Sequence, residues 1–498
     1  MSSKSVVQSE GLHSVLGEIT EEIRELYLAD EIPWVVGYSG GKDSTVTLML
    51  VWLALRDLES EKRLKPVHVI STDTLVENPV VSSWVEYSLE KISEAANEQG
   101  MPIEAHQLLP ALDDTFWVNL IGRGYPAPRH KFRWCTERLK INPSNKFIND
   151  VVQENGEAIL VLGTRKAEST RRAATMNRIE KGRVRDRLSP NMALPNSLVY
   201  TPIEDWIDDD VWLFLMQIEN AWGIDHKDLL GMYQGASADG ECPLVVDTTT
   251  PSCGDSRFGC WVCTMVEQDK SMSAMIQNDQ EKEWMLPLLE LRNELDVGDD
   301  KDRRDFRRMN GSVQVFGEGK WVIHGPYTQQ WRETWLRKVL KAQSTVRRLA
   351  PEYVKKLTLI RTEELEEIRR IWVTDKHELE DSLPAIYREE TGEEYPGKAL
   401  QRTSAFGLEE MRLLREVAES DIQFELIREL LDVEQQHRTM VRRAGLFDAL
   451  ESALKRGFYD SKEDAVERAQ AKQLRIDLYR EKHPDTDQDS GNSPPAGE

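Results

Sequence analysis

Three groups of residues in this sequence have types and spacings that could do chemistry. In Trp34-Val-Val-Gly-Tyr-Ser-Gly-Gly-Lys-Asp-Ser-Thr45 a short apolar run leads through two glycines into the start of a helical pattern. At such a junction consecutive backbone N–H groups converge on an anion, with the helix dipole behind them. Gly40 and Gly41 permit close approach, Lys42 adds a mobile positive charge, and Ser39 and Ser44 supply hydroxyls. Asp43 can hold a divalent cation or cap the helix. The spacing differs from the G-x4-G-K-S/T loop of kinases and GTPases.

The second group is Cys242, Cys253, Cys260 and Cys263, spaced C-x10-C-x6-C-x2-C. Four thiolates so placed suit either Zn²⁺ or an iron–sulfur cluster, and the spacing does not choose between them. Phe258, Trp261 and Val262 would shield a redox-sensitive centre from water. A fifth thiol, Cys135, is close in sequence to Arg133, Arg138 and Lys140, from which a depressed pKa and a persulfide-carrying role are expected. The third group is cationic. The chain carries a net charge of −23, yet windows 123–140, 165–187 and 301–348 sum to +5, +6 and +8. Basic residues gathered in this way predict an anionic ligand despite the acidic whole.

These groups need elements to position them. Apolar residues at Leu12, Val15, Leu16, Ile19, Ile23 and Leu26 predict a helix, and Trp34–Tyr38 a strand. Further strands are expected at 67–71, 103–108 and 159–162, with helices at 46–55 and 80–96 between them. Alternation of this kind predicts an α/β fold, a parallel sheet flanked by helices, over residues 1–235. Residues 236–271 lack periodicity and hold most of the cysteines, so a cysteine-rich module is expected there. Helical patterns at 285–295, 329–349, 362–373, 408–433 and 443–456 predict a helical C-terminal domain over 272–482. The tail, 483–498, has the composition of a disordered segment.

Composition narrows the class. A chain of 498 residues, 40% hydrophobic and 30% charged, has room for two to four domains. No apolar run reaches the length of a membrane span, and Met1 to Gly11 lacks a signal-peptide pattern. Five cysteines, an odd number, are too few for a disulfide framework, which suggests reduced thiols and a cytoplasmic location.

Ser39-Gly-Gly-Lys-Asp-Ser44 resembles the pyrophosphate (PP) loop of the adenine nucleotide α-hydrolase superfamily. Arg133-Trp-Cys-Thr-Glu-Arg-Leu-Lys-Ile-Asn-Pro143, Leu162-Gly-Thr-Arg-Lys-Ala-Glu-Ser-Thr-Arg-Arg172 and Tyr200-Thr-Pro-Ile-Glu-Asp-Trp-Ile-Asp-Asp-Asp-Val-Trp212 are similar to segments of its phosphoadenylylsulfate (PAPS) reductase group. That likeness implies that Asp73 sits near the ribose, that Gly163 and Arg165 close the nucleotide pocket, and that Arg171 and Arg172 face the anionic substrate. Lys42, Asp43 and Arg165 would be catalytic. Cys253-Gly-Asp-Ser-Arg-Phe-Gly-Cys-Trp-Val-Cys263, with Asp73-Thr-Leu-Val-Glu-Asn-Pro79, resembles the DndC family of bacterial DNA phosphorothioate modification.

The DndC-like resemblance implies ATP pyrophosphatase activity with ATP and Mg²⁺, a 4Fe-4S cluster on the four cysteines, and sulfur incorporation into the DNA backbone. The implied partners are DNA, a cysteine desulfurase as sulfur donor and other phosphorothioation proteins. Three alternatives share parts of the pattern: a PAPS or adenylylsulfate reductase, a tRNA thiolase, and a non-catalytic ATP-gated scaffold. The reductases carry a cysteine motif near their C-terminus, and no cysteine follows Cys263 here.

Overall fold

The structure, a computed structural model, describes residues 5–183, 187–237, 258–317, 321–398, 407–438, 440 and 443–482. The expected ligands Cys242 and Cys253, and the tail 483–498, lie outside the described residues.

Six strands form one sheet: β1 (Trp34–Gly37), β2 (Val67–Thr72), β3 (Ile103–Leu108), β4 (Ala158–Val161), β5 (Ser189–Pro190) and β6 (Ser197–Tyr200), in the order β3-β2-β1-β4-β6-β5. All neighbours are parallel except β5, which runs antiparallel to β6. Trp34, Val35 and Val36 are fully buried, as expected for a strand covered on both faces. The chain moves outward from β1 to β2 and β3, then returns to the other side of β1 as β4. The reversal opens a crevice beyond the carboxyl ends of β1 and β4, where ligands of open α/β sheets bind.

The helix after β1, Lys42–Arg56, is buried along almost its whole length. It packs on the sheet, on the Leu12–Leu28 helix and on the Asp208–Gln217 helix. A helix that is apolar all round belongs inside a domain, and this one holds its polar N-terminal turn fixed at the crevice. The Leu12–Leu28 helix buries one stripe, Leu12, Val15, Ile23 and Tyr27.

The chain divides into two compact units, and the boundaries expected at 235 and 271 both fall inside the first. That unit comprises Met1–Phe116, Ala127–Asp296 and Ala342–Leu359, and the second comprises Trp117–Pro126, Val297–Lys341 and Ile360–Glu498. The second is mainly helical, with helices that include Thr362–Arg370, Leu383–Thr391, Asp421–Arg438 and Leu446–Gly457. Within it the indole N–H of Trp372 donates to the Ile121 carbonyl (2.9 Å), and Arg332 pairs with Glu378, both buried. The continuous helix expected over 408–433 is broken: Leu408–Val417 ends at an extended Ala418, and the hydroxyl of Ser420 accepts from Gln423 N–H to start Asp421–Arg438. No helix among the described residues is long and apolar enough to cross a membrane.

Three consecutive aspartates open the Asp208–Gln217 helix, and the fold separates their tasks. Asp210, 1% exposed, accepts from Ile207 N–H (3.1 Å), Val7 N–H (3.3 Å) and the hydroxyl of Ser5. It thereby ties the N-terminal segment to the sheet domain. Asp210→Ala should lower the unfolding free energy by about 2–3 kcal/mol, since it orphans buried donors to a charged acceptor. Asp209→Ala, which removes only a first-turn charge, should cost less than about 1 kcal/mol. Urea titrations of the two variants test the contrast.

Candidate nucleotide and thiol site

Beyond β1, Gly40 has a positive φ of 71°, and a Cβ there would stand 2.7 Å from a Val85 methyl. Its carbonyl accepts from the Trp84 indole (2.9 Å), which fixes the turn from behind. Ser39 N–H donates to the Ser44 hydroxyl (3.2 Å), and Gly41 precedes the first helical residue, Lys42. The loop after β4 lies against this turn. A Cβ on Gly163 would come within 2.7 Å of the Asp43 carbonyl and 2.8 Å of the Thr47 hydroxyl, so only glycine permits the approach.

Two cations and two carboxylates interlock there. Arg165, 2% exposed, donates through Nε to Asp43 (2.6 Å) and through Nη2 to Asp208 (2.5 Å), and Nη1 reaches the Trp206 carbonyl (3.2 Å). Lys42 Nζ stands 3.0 Å from Asp43 and 3.3 Å from Asp208. Burial alone would raise the pKa of Asp208, but Lys42 and Arg165 outweigh it and hold the carboxyl below its ordinary value. Burial likewise opposes the charge on Lys42, and Asp43, Tyr233 and Asp208 reverse that and raise its pKa. The Tyr233 hydroxyl accepts from Lys42 N–H (3.3 Å).

A cavity of about 1010 Å³ opens over these groups. Of the predicted residues, Ser39, Gly40, Gly41, Lys42, Asp43, Ser44, Asp73, Gly163, Arg165 and Arg172 line it. Asp73 also accepts from Leu75 N–H (2.8 Å), closing a turn in which Leu75 takes a positive φ. Arg172 pairs with Glu168. Arg171, exposed on the Thr170–Glu180 helix, is not among the lining residues. Asp208, Tyr233 and Trp212 also line it, and sequence reasoning gave them no role.

Glu77 and Lys140 belong to the same lining, and both reach the cysteines. Glu77 pairs in a bridge with Cys260, whose thiol lies 3.7 Å from its carboxylate and 3.3 Å from the Thr74 hydroxyl. Lys140 lies 3.1 Å from Glu77. Burial opposes its charge, yet Cys260 and Glu77 push its pKa up. The Cys263 N–H donates to the Cys260 carbonyl (3.0 Å), giving the close pair a turn, and the neighbouring Trp261 and Val262 are buried. Cys135 is held in reach of the electrostatic influence of both. Its expected low pKa is corrected: burial raises it and outweighs the hydrogen bond with Thr136 that lowers it, and Cys263 adds to the rise. Cys135, Cys260 and Cys263 are each partly buried, with Lys140 the cation acting on the close pair.

Several cations of the window 301–348 are held in internal pairs. Arg304 pairs with Asp300, Arg307 with Asp305 and Glu425, and Arg337 with Glu389 and Glu390. Arg347 donates to the Leu357 carbonyl (3.1 Å), while Arg348 is exposed.

The lowered pKa of Asp208 gives a testable sign. Stability from its ionised form is present above the unfolded carboxyl value, about 4, and is lost as pH falls through the lower folded value. Asp208→Asn should therefore be less stable than the natural chain at neutral pH, and the difference should close on acidification below about pH 4. Urea midpoints across that range measure it.

Residues 33–222 match the phosphoadenosine phosphosulfate reductase domain family. The uncharacterized protein MJ0066 of Methanocaldococcus jannaschii is 27% identical over 195 residues, 39% of this chain and 34% of that protein. The chain thus spans about a third of the length of this curated relative. Solved structures similar to it include PAPS reductase of Candida auris in a phosphate complex, at 14% identity and a TM-score of 0.27 over 46% of this chain and 94% of that one. Another is FMN adenylyltransferase of Candida glabrata with FAD and inorganic pyrophosphate, at 13% identity and a TM-score of 0.26 over 49% and 67%. From the matched segment, the chain contains a PAPS reductase-like domain.

Proposed function

We propose that the chain is an ATP pyrophosphatase that takes part in sulfur incorporation into the DNA backbone. The observation that carries this reading is that Glu77, which touches the Cys260 thiol, lines one cavity with the phosphate loop. Nucleotide activation and sulfur chemistry would thus be neighbours.

The loop N–H groups and Lys42 hold the β and γ phosphates of ATP as leaving group, so that a phosphodiester oxygen attacks the α phosphorus and pyrophosphate departs. Arg165 is positioned by Asp43 and Asp208 to stabilise the charge that develops. Mg²⁺ is usually bound through one or two carboxylates and phosphate oxygens. Asp43 and Asp208 are the carboxylates available beside the loop, and both are already paired with cations. The ion would therefore be held mainly by the triphosphate. A sulfide-level nucleophile then attacks the adenylylated phosphorus, forming a P–S bond, and the original oxygen leaves on AMP. A 4Fe-4S cluster on Cys242, Cys253, Cys260 and Cys263 would supply sulfur-binding and electron-transfer chemistry. DNA, a cysteine desulfurase and other phosphorothioation proteins are the partners this reaction requires.

The reductase reading draws support from the family matched by residues 33–222. The two differ in substrate and product: a reductase releases sulfite from an adenylylated sulfate, whereas the proposed enzyme consumes ATP. Incubation with ATP, Mg²⁺ and DNA should yield AMP and pyrophosphate, and Lys42→Ala should abolish it. Host DNA digested with nuclease should contain phosphorothioate dinucleotides when this gene is present and none when it is deleted. ADP as product, or unchanged DNA, would overturn the proposal.

The chain purified without oxygen should be brown and hold about four iron atoms. Cys260→Ser should bleach it. A colourless protein with stoichiometric zinc would remove the cluster from the reading.

A further inference from the structure

We propose that His68, Glu104 and His106 form a binding site for a divalent transition-metal ion of the zinc class. None of the three residues lines the cavity over the phosphate loop, and no described cysteine belongs to the group.

The site is built by strand register. Parallel pairing sets His68 on β2 opposite Glu104 on β3, and Ile70 opposite His106. Side chains two apart on a strand share a face, so Glu104 and His106 both stand on the face that His68 occupies. His68 Nδ1 is 3.1 Å from His106 Nε2, and these nitrogens lie 3.6 and 3.7 Å from Oε2 of Glu104. A point equidistant from the three atoms is about 2.0 Å from each, the length of zinc–imidazole and zinc–carboxylate bonds. The same distances are too long for Glu104 to accept a hydrogen bond from either ring. Its carboxylate is thus placed as a metal ligand is placed.

The surroundings fit the donors. Phe147, on the Asn142–Asn155 helix, closes one side, with its ring centroid 5.6 Å from that of His68 and 4.9 Å from that of His106. Burial lowers the pKa of both histidines, which favours the neutral imidazole that ligates metal. The Glu104 side chain is 66% exposed, so water can complete a four-coordinate shell from the solvent side. β3 is an edge strand of the sheet. An ion here would clamp it to β2 beyond what the backbone ladder provides.

Co²⁺ titration of the metal-stripped full chain tests the proposal, because a nitrogen–oxygen shell gives ligand-field bands without the sulfur charge-transfer band of thiolate sites. One such equivalent should bind in the natural chain and persist in Cys260→Ser. Its affinity should fall by at least about tenfold in Glu104→Gln and His106→Gln, the lower bound set by what even outer-shell changes cost. Zn²⁺ should raise the melting temperature of the natural chain more than that of either variant. If His106→Gln does not fold, the exposed Glu104→Gln carries the test. A natural chain with no thiolate-free equivalent, or variants that bind it unchanged, would overturn the site and leave a hydrogen-bonded histidine pair.

Discussion

A buried guanidinium whose three nitrogens are each hydrogen-bonded is the constraint on which the rest of this molecule depends. Arg165 cannot be withdrawn from water without Asp43, Asp208 and the Trp206 carbonyl around it. Those partners come from two segments distant in sequence: the start of the helix after β1, and the turn that leads into the Asp208–Gln217 helix. Holding them in register requires the sheet order, the fully buried Lys42–Arg56 helix and the bare Gly163 backbone. With Lys42 included, the cluster has two charges of each sign and is neutral at rest. A triphosphate that engages Lys42 and Arg165 must compete with Asp43 and Asp208, and a divalent cation that arrives with the phosphates relieves that competition.

The parts that were legible in the sequence are those governed by short-range rules. The strand-loop-helix at 34–56, the strands at 67–72 and 103–108 and the helix Gln329–Leu349 follow from periodicity and glycine placement. The parts that were not depend on distant partners. Nothing in Asp208-Asp209-Asp210 distinguishes the site residue from the structural one, because their roles are set by Arg165 and by Ser5 to Val7. β6 has only four residues and earns its place by pairing with β4. The arginines of the 301–348 window looked available because Glu378, Glu389, Glu390 and Glu425 are far along the chain. Cys135 was misjudged for the same reason: neighbours in sequence suggested positive charge, whereas folding gave it burial and another thiol.

The contact between Glu77, a cavity-lining residue, and Cys260 also constrains any account of order. Lys140 touches Glu77, and Glu77 touches Cys260, so a change of charge at the thiols is felt at the cavity lining through two direct contacts. The Cys260 thiol and the cavity lining are in this sense electrostatically adjacent, with Lys140 the positive charge beside both.

The two units are interleaved along the chain: Trp117–Pro126 leaves the first for the second, and Ala342–Leu359 returns to the first. During synthesis the first unit therefore remains incomplete until the ribosome has passed residue 359, long after its sheet strands have emerged. No single cut liberates either unit whole. Fragments ending at 116, 235 or 296 would each lack native packing partners, so limited proteolysis should release no independently stable half, and a two-plasmid split of this gene has no natural seam.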